Sequence, residues 1–155
     1  MADPQWLTER EQRAWQGFLS MQEEVMRRLN RQLLLDSGLS EPEYAILATL
    51  SEDAESRLRI FELRDHLRWE KSRLTHLLSR MIKRGLVERH PCMADSRGAY
   101  VTLTVEGREA IQAASPLHVA YVRRSFIDAL SPLQLDALAT ISEAVLTHQR
   151  DEPEE

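Results

Sequence analysis

At 155 residues, with 43% hydrophobic content and a net charge of −5, the chain is sized for one domain and carries enough apolar side chains for a core, which excludes wholesale disorder. Its apolar runs last only a few residues, against the ~20 that a membrane span needs, so no membrane partner is expected. A single cysteine, Cys92, excludes an intrachain disulfide, and the opening "MADPQWLTEREQ" has neither the basic start nor the apolar core of an export signal; a cytoplasmic location is the expectation.

In chain order, Thr8-x-x-Glu11 is a capping box that opens a helix. Trp15, Phe18, Leu19, Val25, Met26 and Leu29 follow it at helical spacing, and Asp36-Ser37-Gly38 ends it. Ser40-Glu41-Pro42-Glu43 is a second box, opening a helix that carries Tyr44, Ile46, Leu47 and Leu50. Residues 51–56 are polar and loop-like. Leu58-Arg59-Ile60 is extended or begins a short helix with Ile60, Leu63 and Leu67 inward, and a turn falls near Arg68.

The next helix, roughly Glu70 to Arg84, places Leu74, Leu77, Leu78, Met81 and Ile82 on one stripe. Its other side holds Ser72, Thr75, His76, Ser79, Arg80 and Lys83, with Arg73 at the edge. After Gly85, Val87–His90 and Ala99–Leu103 read as two strands around a tip that carries Asp95 and Arg97. Thr104 caps a helix that Pro116 should kink or break near Ser115. Ser131-Pro132-x-Gln134 opens the last helix, with Leu135, Leu138, Ile141, Val145 and Leu146 on its apolar face.

Charge is unevenly spread. Between Arg57 and Arg108 stand twelve Lys or Arg against six Asp or Glu, a surplus of +6, which leaves −11 for the remainder. A basic middle on an acidic body suggests a polyanion-facing surface; an ordinary solvated face is the plain alternative.

Short helix, turn, cationic helix and hairpin, in that order, make a winged helix-turn-helix. A major groove ~12 Å wide admits one helix, whose first turns reach base edges. Lys71, Ser72, Arg73, Thr75 and His76 occupy those turns, and Arg80, Lys83 and Arg84 lie farther along, where phosphate contact is expected. Arg97 at the wing tip suits a minor groove, whose negative potential attracts guanidinium; Asp95 either positions it or caps the turn. No G-x-S-x-G, phosphate-binding glycine loop or H-E-x-x-H occurs among only five glycines, so neither an enzyme nor a cofactor is expected. His66, His76, His90, His118 and His148 are scattered without an H-x-x-x-H pair, and no metal site is expected.

Residues 63–111, "LRDHLRWEKSRLTHLLSRMIKRGLVERHPCMADSRGAYVTLTVEGREAI", resemble the core of the MarR (multiple antibiotic resistance regulator) family. The "RGLVER" exit from the recognition helix, the Asp95-Ser96-Arg97 wing tip and the "LTVEG" entry to the next helix carry the resemblance. It implies a mainly α fold with a small β-hairpin wing: one domain over 1–155, dimerisation helices at 8–36 and 104–150, and a winged helix-turn-helix lobe at 40–103. It further implies a homodimer on a near-palindromic double-stranded operator, acting as a repressor, or less often an activator, relieved by a small molecule or oxidant. A small aromatic or phenolic effector would lie between the dimer-forming helices and the DNA-binding lobe, with Trp15, Phe18, Tyr44, His118 and Tyr121 as candidate wall residues; core packing is the alternative for the first three. Cys92 is either a redox-sensing thiol, with Arg89 and His90 nearby, or incidental, since the chain supplies no resolving partner. A winged-helix module docking an acidic protein partner is the reading from another class. The chain departs from the family at Arg68, where a glycine is common, and at Glu70, where Ser, Thr or Asp is common. Glu70 either accepts from a cytosine amino group or repels phosphate.

Overall fold

A computed structural model describes residues 4–91 and 98–152; Cys92, Asp95 and Arg97 lie outside them. The described residues form six α-helices, one 3-10 turn and a three-stranded sheet. The chain divides after His118 into two compact units.

In the first unit, α1 (Glu9–Ser37) opens on the expected box: the Thr8 N–H donates to Glu11 Oε2 at 2.8 Å and the Glu11 N–H to Thr8 Oγ1 at 3.3 Å. The Thr8 backbone and hydroxyl donors hold the Glu11 carboxyl below its ordinary pKa. Gly38, at φ +66°, closes α1 through its N–H to Leu34 O. Of this long helix only Leu33 is buried; Trp15, Phe18 and Leu19 are exposed. α2 (Glu41–Glu52) opens on Ser40 and Glu43, whose side chains cap reciprocally. It runs two residues into the expected loop, because the Ser51 hydroxyl bonds back to Ala48 O rather than competing outside the helix.

Asp53 then gathers the Glu55 and Arg57 N–H groups, and Ser56 turns the chain at φ +53°. This sends β1 (Arg57–Arg59) out as a third strand beside the expected hairpin: of the two forms expected for Leu58-Arg59-Ile60, Leu58 and Arg59 are extended and Ile60 begins the helix. It pairs antiparallel with β3 (Ala99–Leu103), which also pairs with β2 (Val87–Pro91), giving the order β1-β3-β2. Leu58 faces Val101 in register and Arg59 faces Tyr100. Cross-strand partners share a face, so Leu58 and Val101 turn toward the core while Arg57, Arg59 and Tyr100 share the other side.

α3 (Ile60–Leu67) ends at Arg68, which adopts φ +56° and donates its N–H to Arg64 O at 2.7 Å. α4 (Lys71–Lys83) follows α3 after three residues, Arg68, Trp69 and Glu70. Leu74, Leu77, Leu78 and Met81 are buried as the stripe predicts, whereas Ile82, expected with them, is 40% exposed. These side chains join Leu39, Ile46, Leu47, Leu50, Leu63, Val87 and Val101 in one core.

α5 (Val105–Ser125) is latched to the end of α4. Thr104 Oγ1 donates to Gly85 O at 2.6 Å and accepts the Gly107 N–H at 2.9 Å. The Thr104 N–H reaches Leu86 O at 3.2 Å. α5 continues through Pro116, so the expected break does not occur. Proline removes a single N–H donor, and the buried anchors Gly107, Ile111 and Ala114 fix the helix before it. The Ser115 hydroxyl donates to Ile111 O at 2.8 Å within the same turn.

The second unit holds the end of α5, a 3-10 turn (Ile127–Ala129) and α6 (Pro132–Asp151). Ser131 and Gln134 cap α6 reciprocally, as expected. No described residue of α6 is buried, and Leu133, Ile141, Val145 and Leu146 are exposed.

Candidate nucleic-acid interface

The sequence that buries one side of α4 leaves the other polar. Lys71, Ser72, Arg73, Thr75, His76, Arg80 and Lys83 are all exposed, as the wheel requires. Lys71, Ser72, Thr75 and His76 line one open depression over the start of the helix, together with Glu70 and Ser79. Glu70 is the N-cap residue, but its side chain makes no capping bond. Among the described residues its carboxylate is therefore held by no cap interaction and lies in the same depression as the Lys71 ammonium.

Arg73 stands apart from that group. Its Cζ lies 4.2 Å from the ring centroid of Trp69, which is half-buried against the core. Burial raises the pKa of Glu41, on the first turn of α2, and the positive charge of Arg73 partly offsets it. Neither Trp69 nor Glu41 was singled out from the sequence. The i,i+4 spacing of Trp69 and Arg73 was the available signal for the first; nothing in the sequence signals that Glu41 faces Arg73 from another helix.

Not every cation of the basic segment belongs to this surface. Arg84, expected near phosphate, instead pairs with Glu43 and donates to Gly38 O at 3.0 Å. Arg57 pairs with Glu55 at 2.8 Å, and Arg108 donates to Ser56 Oγ at 2.7 Å. Arg57 and Arg59 also lie over Tyr100, at 5.1 and 5.4 Å from its centroid. Part of the +6 surplus thus braces the sheet and the helix ends, away from the depression.

The effector candidates fall into separate places. Tyr44 and His118 are in ring contact, centroids 4.2 Å apart, and Tyr44 Oη donates to Ser115 Oγ at 3.4 Å. Among the described residues His118 Nδ1 is buried without a hydrogen-bond partner, and burial lowers the pKa of its ring. Trp15 and Phe18 contact each other, centroids 5.8 Å apart, and remain about half exposed. Tyr121 belongs to the second unit, beside Arg124. Among the described residues no group of His, Cys, Asp and Glu is arranged to hold a metal ion, and no helix is long and apolar enough to cross a membrane.

A three-helix lobe with a cationic recognition helix and a β-sheet wing defines a winged helix-turn-helix protein. The family model described as transcriptional regulator SarA/Rot matches residues 28–114. AbsC, a MarR family transcriptional regulator from Streptomyces coelicolor, is 37% identical with a TM-score of 0.90, over 96% of this chain and 100% of that one. Sco3205, a MarR family regulator from the same organism solved in complex with DNA, is 36% identical with a TM-score of 0.88, over 93% of this chain and 90% of that one. The transcriptional regulator HosA of Escherichia coli O127:H6 is 33% identical over 79 residues, 51% of this chain; the chain spans 57% of that curated relative's length. The chain belongs to the MarR family of transcriptional regulators, and its fold is that of these regulators and not of an enzyme.

Proposed function

We propose that the protein is a homodimeric, sequence-specific DNA-binding repressor of the cytoplasm, released from its operator by a small aromatic effector. The observation that carries this is the depression at the start of α4, where Lys71, Ser72, Thr75 and His76 stand together on an exposed first turn and a half. Those positions suit base edges in a major groove, and Arg80 and Lys83 suit the flanking phosphates. Asp95 and Arg97 of the wing tip complete the set in a minor groove. The DNA complex of Sco3205 supports the same assignment by likeness.

The exposed apolar side chains of α1 and α6 support the homodimer, since Trp15, Phe18, Leu133 and Ile141 lack cover among the described residues. The effector site centres on Tyr44 and His118: among the described residues His118 Nδ1 has no partner, and it and the Tyr44 hydroxyl offer polar anchors beside ring faces.

Fluorescence anisotropy with the DNA just upstream of the reading frame, against scrambled DNA of equal length, tests the assignment. A preference of ~10³-fold or more is expected. A two-fold symmetric footprint with half-sites ~34–36 Å apart is expected for the dimer. Equal binding to both duplexes, repeated with genome-selected fragments, would remove the repressor assignment. Release of the bound duplex by small aromatic acids checks the effector, and His118→Phe should abolish that release while sparing DNA affinity.

A further inference from the structure

Among the cations of α4, Arg73 is set apart by an aromatic partner: its guanidinium covers a ring, with Cζ 4.2 Å from the Trp69 centroid. It makes no hydrogen bond or salt bridge among the described residues, whereas Arg57, Arg84 and Arg108, outside α4, are engaged. Trp69 immediately precedes the N-cap residue and is packed against the core, so its ring is a fixed platform. Arg73 is the third residue of α4, within the turn of a recognition helix that reaches base edges.

We infer that Trp69 is a positioning residue that holds the Arg73 guanidinium ready to read a guanine in each operator half-site. A guanidinium that stacks with its face retains its in-plane N–H donors, and two of them match the O6 and N7 acceptors of guanine. Pre-stacking also removes much of the rotamer freedom that an arginine otherwise loses on binding. The carboxylate of Glu41, a first-turn residue of α2 whose N–H donates to Asn30 Oδ1 at 2.9 Å, adds an opposite charge that attracts Arg73. The stack itself leaves the side chain fewer arrangements than a free arginine has. A lysine would keep the charge but lose both the stack and the fork.

The inference rests on the DNA-binding assignment above, and the test separates the two. The full-length protein selects from a randomised duplex library, and the selected pools of wild type, Arg73→Lys, Trp69→Leu and Trp69→Phe are sequenced. Leucine fills the platform without a ring; phenylalanine restores a ring. Wild type is expected to enrich a two-fold site with one dominant guanine per half. Arg73→Lys and Trp69→Leu should each lower the preference for that guanine by about tenfold or more, the scale of one bidentate contact, and leave the other positions unchanged. Trp69→Phe should recover most of it. As an independent readout, the Arg73 Nε–H proton should resonate upfield through the ring current in wild type and return to the ordinary position in Trp69→Leu. A wild-type pool with no enriched site would overturn the DNA-binding assignment and this inference with it. An unchanged guanine preference in Trp69→Leu, with Arg73→Lys degenerate, would overturn the positioning role alone.

Discussion

Arg84, the residue that closes the recognition helix, forms an ion pair with Glu43 on the first turn of α2. The two ends differ in exposure: the Glu43 side chain is 8% exposed and that of Arg84 45%. A carboxylate taken out of water needs its partner more than the half-solvated guanidinium does. Arg84→Ala should therefore destabilise the fold by about 1–3 kcal/mol, less than a fully buried pair because solvent reaches Arg84. Adding Glu43→Gln should recover part of the loss in a double-mutant cycle by urea unfolding. The salt dependence of DNA binding should stay as in wild type; a shallower slope would return Arg84 to the phosphate contacts.

Gly107 passes so close to Leu86 that a β-carbon there would sit 2.0 Å from the Leu86 carbonyl oxygen. The obstacle is backbone and cannot rotate aside. Gly107→Ala should cost at least about 2 kcal/mol through overpacking. The urea midpoint should fall with an unchanged m-value, the mark of altered stability without altered compactness. An equal midpoint would mean that α5 can move off Leu86 freely.

That contact explains two of the motifs that made the family legible. "RGLV" supplies Gly85 O and Leu86 O, and "LTVEG" supplies Thr104 and Gly107, so each motif is half of one latch. Periodicity revealed α4 and its buried stripe because a helix repeats its signal over several turns. β1 is legible only as extended-or-helical because three residues give a single alternation, with only Leu58 turned inward. Of the kink or break expected at Pro116, the break does not occur, because the lost hydrogen bond is set against the anchors holding α5 on either side of Ile111. The pairing of Arg84 with Glu43 runs across helices, which the spacing of types along a chain does not encode.

Arg68 occupies a left-handed conformation, φ +56°, where many relatives are expected to have glycine. An L side chain there crowds the following carbonyl. Arg68→Gly should stabilise the fold by about 0.5–1 kcal/mol, the relief of that crowding being partly offset by the greater freedom of the unfolded chain. Arg68→Ala keeps the β-carbon and should gain nothing. Thermal unfolding of the pair separates backbone relief from loss of the charge; equal gains in both would assign the effect to charge.

His118 gives the fold a pH dependence of known sign. Burial lowers its pKa below the ordinary 6.5, with Tyr44 against the ring and Nδ1 unpartnered. The unfolded chain therefore takes up a proton at a higher pH than the native one does. Native stability is undiminished above pH 6.5 and falls as pH drops from there toward the lowered value, where the native ring also protonates. His118→Gln should flatten that part of the stability profile measured by urea unfolding across the window. A wild-type slope retained in the variant would place the proton uptake elsewhere.

The exposed cations of α4 should divide by the slope of their salt response. Arg80 and Lys83 lie beyond the first turns, where a phosphate is the nearest acceptor, and each neutralised phosphate releases condensed counterions. Arg80→Ala and Lys83→Ala should each make the plot of log K against log salt shallower by about 0.9. Both should weaken operator and scrambled DNA alike. Thr75→Ala should do the opposite: the slope stays, because no charge is removed, and the preference for operator narrows by about 1–3 kcal/mol if Thr75 meets a base. A slope unmoved by either cation would mean that α4 docks with only its first turn on the DNA, and the flanking phosphates would have to be met by residues outside this helix.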